Sequence, residues 1–188
     1  GTDIRMIKNG YGDISEYNPR ILGHELAGDV AAVGDNVTEY EVGQRVTVAP
    51  NMGCGVCNQC VNGKTHMCRS YRALGINMDG GFAEYVKIPA AAIRQGNVAI
   101  LPDHVSYEVA ALNEPLSCAY NGSEQCAIRP GELVLVVGAG PIGIMHGMLA
   151  KMSGAGKVFF HDLSAERLLR AKEFDASFVI VEGDLKEY

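Results

Sequence analysis

Cys54, Cys57, Cys60 and Cys68 stand with two, two and seven residues between them, in a stretch broken by Gly53, Gly55, Asn58, Asn62 and Gly63. Thiolates at these spacings, on a backbone free to wrap, can close a tetrahedron around zinc with bonds of about 2.3 Å. Such a site has no open position, so its role is structural. Four unliganded thiols are the ordinary alternative, but buried free cysteines belong on apolar elements rather than in a Gly/Asn loop. His66 lies inside the same lobe and, with four cysteines present, reads as an exposed loop histidine. Redox chemistry at Cys54 and Cys57 is disfavoured, because neither opens a helix after a strand.

A second pattern suits phosphate. Gly138-Ala139-Gly140-Pro141-Ile142-Gly143 follows the apolar run Leu133–Val137 and opens a helical pattern. Gly138 can make the turn, Gly140 lets a diphosphate approach the backbone, Gly143 lets helix and strand pack closely, and Pro141 suits a first helical turn. Asp162 ends the next strand pattern nineteen residues after Gly143, where a carboxylate accepts from ribose hydroxyls and repels a 2′-phosphate. NAD is therefore expected over NADP. Arg167 is a candidate for the adenine side, with a solvated helix residue as its plain alternative.

The elements that must position these groups fall into two regimes. From Ile21 to about Ala92, short β-rich runs alternate with glycine: Leu26–Val33, Gln44–Val48 and Phe82–Ile88 are predicted strands. After Pro102 helices are predicted, the first capped by Ser106 and the next over Leu116–Ala127. The alternation then becomes strand Leu133–Val137, helix Pro141–Met152, strand Val158–His161, helix Ala165–Phe174, strand Phe178–Val181. That is the start of a doubly wound α/β sheet, with Leu133–Val137 expected to be buried on both faces. Met145, Met148 and Met152 are expected to pack on their helix, and Cys118 and Cys126 have no assigned role.

The 188 residues, 47% hydrophobic and 20% charged, have a globular composition. A net charge of −6 offers no basic field for nucleic acid or an anionic membrane. The apolar runs are far short of a bilayer span, and the expectation is a soluble, cytoplasmic protein. No internal repeat or low-complexity segment is seen.

Taken in order, Gly23-His24-Glu25, the four-cysteine lobe, Gly80-Gly81-Phe82-Ala83-Glu84-Tyr85, Glu114-Pro115-Leu116 and the Gly138–Gly143 fingerprint resemble the zinc-dependent medium-chain dehydrogenase/reductases. Glu114-Pro115-Leu116 resembles the polyol (sorbitol) dehydrogenase branch. The resemblance implies an α/β chain: a GroES-like β-rich catalytic domain over 1–115 with a structural zinc lobe at 51–70, then the first part of an NAD-binding Rossmann domain over 116–188. It implies a catalytic zinc held by His24, by Glu25 as neighbouring or exchangeable ligand, and by Glu114, directly or through bound water. Thr2 matches a proton-relay position. A Lewis-acidic metal ionises the substrate hydroxyl, and the nicotinamide accepts hydride. Expected substrates are small alcohols or polyols, and the family implies a homodimer or homotetramer.

Two features depart from that pattern. The family carries a further cysteine ligand immediately before the Gly1-Thr2-Asp3 segment, and more Rossmann strands follow the one at Val181. The chain is accordingly expected to be an internal piece of a longer enzyme, inactive by itself. Arg5 stands where the family often has a relay histidine; arginine does not shuttle protons, and it faces either solvent or an anionic substrate group such as the phosphate of a sugar-alcohol phosphate. The competing readings are a zinc-stabilised nucleotide-binding or interaction module without catalysis, and an NADPH-dependent quinone-type reductase of the same superfamily. The Gly138–Gly143 fingerprint with Asp162 argues against a partner-docking module, and His24-Glu25 with Glu114 against the reductase.

Overall fold

A computed structural model describes residues 1–12 and 14–183. The chain divides into two compact units, Gly1–Glu114 and Pro115–Tyr188.

The first unit opens with α1 (Thr2–Asn9), a helix that the sequence reading did not anticipate. Its one buried residue is Met6, and Gly10 ends it at φ 68°. A three-stranded antiparallel sheet follows, ordered β1 (Leu26–Asp29), β2 (Arg45–Val48), β5 (Val98–Ile100). Leu26 pairs with Val48, and Val48 with Val98. Leu26, Val48, Met52, Leu74 and Ala92 form the core beneath. Strand β3 (Asn51–Met52) pairs with β4 (Arg72–Ala73), and this ladder carries the cysteine lobe, which contains α2 (Asn58–Val61) and a single 3₁₀ turn at Thr65–Met67. Helix α3 (Ala90–Arg94) precedes β5, and α4 (Tyr107–Ala111) starts at Ser106, whose side chain accepts from the Val109 amide. The polar cap thus falls where the sequence places it.

Two strand expectations change. β1 ends at Asp29 rather than Val33. Phe82–Ile88 lies outside any strand, with Phe82 and Tyr85 exposed. A β-pattern becomes a strand only where a ladder partner exists. Among the described residues the Gly80, Gly81 and Phe82 amides donate to the carbonyls of Ile21, Gly23 and Leu22, which anchors the start of this segment and leaves the rest unladdered.

Helix α5 (Asn113–Cys126) is followed by β6 (Leu133–Val137), α6 (Pro141–Met152), β7 (Lys157–His161), α7 (Ala165–Phe174) and β8 (Val179–Ile180). The sheet is parallel, in the order β6-β7-β8. Because the strands advance in one direction and such crossovers are right-handed, α6 and α7 cover the same face. Burial follows: Val136, Val158 and Phe160 meet Ile144, Ala150, Leu168 and Ala171 in the core. The opposite face is open, with Leu133 70%, Leu135 49% and Val137 68% exposed. Among the described residues, β6 is covered on one face, where its continuous apolar run predicts cover on both. On α6 the face toward the sheet is Ile144, Gly147 and Ala150, and a Cβ at Gly147 would lie 2.5 Å from Phe160 Cζ. Met148 and Met152 are on the exposed side, which corrects their expected packing role.

Candidate functional site

The cysteine lobe gathers its sulfurs by local turns. Sγ of Cys54 and Cys60 are 3.9 Å apart, those of Cys57 and Cys60 3.5 Å, and those of Cys57 and Cys68 3.8 Å. A regular tetrahedron of 2.3 Å Zn–S bonds has edges of about 3.8 Å, so these four donors have the spacing of a closed zinc site. The Cys57 amide donates to Cys54 Sγ at 3.4 Å, and the Cys54 amide to Cys68 Sγ at 3.3 Å. Amides of Val56 and Cys57 aimed at its sulfur bring the Cys54 thiol down to about 6. The Cys60 amide lowers Cys57 likewise, whereas burial pushes Cys60 up to about 11. Gln95 fastens the lobe to the end of α3, accepting from the Gly53 amide at 3.2 Å and donating to its carbonyl at 2.9 Å. His66 sits exposed on the 3₁₀ turn.

Distant stretches of the same unit meet at His24. One donor atom each from His24, Glu25 and Glu114 lies within 4.8 Å of the others, with His24 and Glu114 half-buried and Glu25 exposed. Glu114 comes from the first turn of α5; His24 and Glu25 precede β1. The turn that delivers His24 is fixed by glycine contacts. A Cβ at Gly80 would stand 2.1 Å from the Gly23 carbonyl oxygen, so only glycine lets these loops touch. His24 Nδ1 is buried, has no hydrogen-bond partner among the described residues, and faces Asp3 Oδ2 at 3.5 Å. The other Asp3 oxygen accepts from the Gly23 amide at 3.1 Å. A carboxylate behind an imidazole is the usual support of a metal-ligating histidine. Asp3 thus joins the candidate cluster, which the sequence reading missed: it stands twenty-one positions before His24, and no motif spacing joins them. Thr2, half-buried, begins α1, while Arg5 on the same helix is exposed.

In the second unit the fingerprint forms the turn from β6 into α6. Gly138 has φ 104°, Gly140 caps the helix and Pro141 starts it. At Gly143 a Cβ would lie 1.8 Å from the Gly138 carbonyl oxygen. Val136, Gly138, Gly140, Pro141, Ile142, Gly143, Asp162 and Arg167 line an open cleft of about 360 Å³. Asp162 Oδ2 accepts from the Ala139 amide and Oδ1 from the Ser164 amide, each at 2.8 Å. These amides, with Arg167 and His161 nearby, hold its carboxyl below the usual range. Asp162 is thus a clamp on the fingerprint loop, and a carboxylate with two hydrogen bonds still has acceptor sites to spare. Arg167, largely exposed, reaches Asp162 at 3.8 Å.

Residues 1–99 match the family model of the alcohol dehydrogenase GroES-like domain. The chain is 38% identical over 182 residues to a sorbitol dehydrogenase of Bacillus subtilis, covering 96% of this chain and 50% of that protein. It is 40% identical over 162 residues to an L-threonine 3-dehydrogenase of Rhizobium johnstonii, covering 86% and 45%. Among solved structures, galactitol-1-phosphate dehydrogenase of Escherichia coli superposes with a TM-score of 0.84 at 32% identity, covering 100% of this chain and 51% of that one. A zinc-binding dehydrogenase of Sinorhizobium meliloti bound to NADP gives 0.87 at 35%, covering 99% and 53%. The chain spans about half the length of the curated relatives it matches. Sequence, fold and site geometry agree, and the chain belongs to the zinc-dependent alcohol dehydrogenases that carry a GroES-like domain.

Proposed function

We propose that the protein carrying this chain oxidises a secondary alcohol (a polyol, a sugar alcohol or its phosphate) to the ketone, with NAD as hydride acceptor. The observation that carries this reading is the convergence of His24, Glu25 and Glu114 donors within 4.8 Å, backed by the Asp3 carboxylate. A catalytic zinc, when bound, supplies Lewis acidity toward the substrate hydroxyl, and bound NAD supplies the acceptor for the hydride. His24, Glu25 and Glu114 are the residues that would hold the metal, with Asp3 fixing the imidazole; Cys54, Cys57, Cys60 and Cys68 would hold a separate structural zinc. Thr2 Oγ1 would accept the hydroxyl proton while donating its own onward to solvent. Gly138, Gly140, Pro141, Ile142 and Gly143 cradle the diphosphate at the start of α6, and Asp162 accepts from the ribose, with Arg167 beside it. On this reading the catalytic domain covers 1–115 and the nucleotide-binding domain starts at 116.

The NAD preference rests on Asp162, whose negative charge opposes a 2′-phosphate. The NADP-bound neighbour supports a second reading, in which the exposed Arg167 turns to a 2′-phosphate. Steady-state kinetics at the relatives' full length, with sorbitol, galactitol 1-phosphate and L-threonine, each with NAD and NADP, separates them. NAD is expected to win by about tenfold or more in kcat/KM, as one well-placed charge repulsion is worth. Equal or better use of NADP would assign the role to Arg167, and oxidation of L-threonine alone would overturn the polyol assignment. The 188 residues by themselves are expected to be inactive, and NAD reduction by that polypeptide would revise this part of the reading.

A further inference from the structure

Beyond the positions read for diphosphate and ribose, one more polar side chain borders the cleft. His146 lies on α6, one turn after Ile142, and lines the same space as Gly138, Gly140, Pro141 and Asp162. Its ring is pinned: Nδ1 shares a 2.9 Å hydrogen bond with the hydroxyl of Ser123, a buried residue of α5. Room for the ring comes from Gly122, where a Cβ would stand 3.0 Å from His146 Cε1 and 3.6 Å from Nε2. Ile142 and His146 are four residues apart on α6, so they share a face of that helix. The imidazole is half-buried, with Nδ1 held by Ser123 and the Cε1–Nε2 edge beside Gly122, and the residue borders the cleft. An imidazole with one nitrogen committed to a fixed partner presents the other as a directed hydrogen-bonding group. The charged groups on the remaining walls are Asp162 at the end of β7 and Arg167 on α7, which pair with each other at 3.8 Å.

We propose that His146 is a dinucleotide-contacting residue outside the glycine fingerprint: set by Ser123 and admitted by Gly122, it gives the bound dinucleotide one hydrogen bond from the seam between α5 and α6. The inference rests on the reading of this cleft as a dinucleotide site. Ser123 acts through the ring as a positioning residue. Neither appears in any fingerprint spacing, because the partners come from two helices.

Titrating the metal-loaded protein with NADH by nicotinamide fluorescence, and with AMP by calorimetry, tests it. His146→Asn keeps an atom that can meet Ser123 and removes the Nε2 position; His146→Gln reaches that position again. NADH is expected to bind about tenfold more weakly to His146→Ala and His146→Asn, and about threefold more weakly to Ser123→Ala, as the loss of one hydrogen bond or of its alignment predicts. His146→Gln is expected to recover NADH affinity to within about threefold, and AMP, occupying the Asp162 end only, to bind all variants alike. Unchanged NADH affinity in His146→Ala and His146→Asn overturns the proposal. So does a parallel loss of NADH and AMP binding that tracks a lowered melting temperature, since a packing role alone produces it. If the unsubstituted protein binds no NADH, the dinucleotide reading of the cleft falls first, and this inference with it.

Discussion

Asp3 places one carboxylate oxygen on the Gly23 amide and the other 3.5 Å from His24 Nδ1, which ties the start of the chain to the residue at the centre of the donor cluster. Replacing it by Asn keeps the shape and removes the charge behind the imidazole. Zinc affinity at the His24 site is then expected to fall about 10- to 100-fold, measured by chelator competition; an unaltered affinity would deny Asp3 a supporting role. A different carboxylate contributes to stability at low pH. Lys151 and Ser177 hold Asp175 at about 2, below the value near 4 of an unfolded chain. The folded-state pKa is depressed, so this pair stabilises above pH 4 and its contribution is lost as the pH falls from about 4 to about 2. Melting temperature followed between pH 5 and pH 2 should show a step that Asp175→Asn removes. A step of the same size in the variant would assign it elsewhere. Candidate ligands close in sequence, such as the four cysteines that converge here, are legible from spacing alone. His24, Glu25 and Glu114 are not, because Glu114 stands eighty-nine positions after Glu25 and only the resemblance joined them.

At the scale of elements, helix bounds were readable where capping chemistry marks them. Pro141 opens α6 after the Gly140 cap, and Ser164 caps α7 by accepting from the Arg167 amide. Strands were less legible. Phe82–Ile88 is β-rich and follows a Gly-Gly turn, yet among the described residues it finds no ladder, since register and partner are properties of the assembled sheet rather than of the segment. The same reasoning covers β6, whose apolar run says nothing about which face the crossover helices take. The turn between β6 and α6 is the most tightly specified local structure. Gly143→Ala would set a Cβ 1.8 Å from the Gly138 carbonyl, which cannot be relieved by a side-chain rotation. It is expected to cost about 2 kcal/mol or more in unfolding free energy and to abolish NADH binding, followed by denaturant melts and fluorescence titration. A variant that binds NADH normally would mean that the loop has more freedom than its contacts imply.

At the scale of the whole molecule, the proposed reading assigns both donor clusters to the first unit and the dinucleotide cleft to the second. Stripping a bound zinc is therefore expected to act on the first unit, where the four sulfurs converge in a lobe otherwise ordered by the short β3–β4 ladder, local turns and Gln95. Hydrogen exchange after chelation is expected to rise across 51–70 and to stay unchanged in β6–β8; uniform protection after metal removal would contradict a structural zinc. The account stands or falls on the His24 cluster as the place where the alcohol is activated. Its most direct test is the rate of NAD reduction by a secondary alcohol in His24→Ala against the unsubstituted protein, at the relatives' full length and with the cysteine lobe fully zinc-loaded. The predicted result is a loss of about 10³-fold or more in kcat/KM with NADH binding intact, the scale of removing a Lewis acid from the reacting centre. Activity within a few-fold of the unsubstituted protein would contradict it.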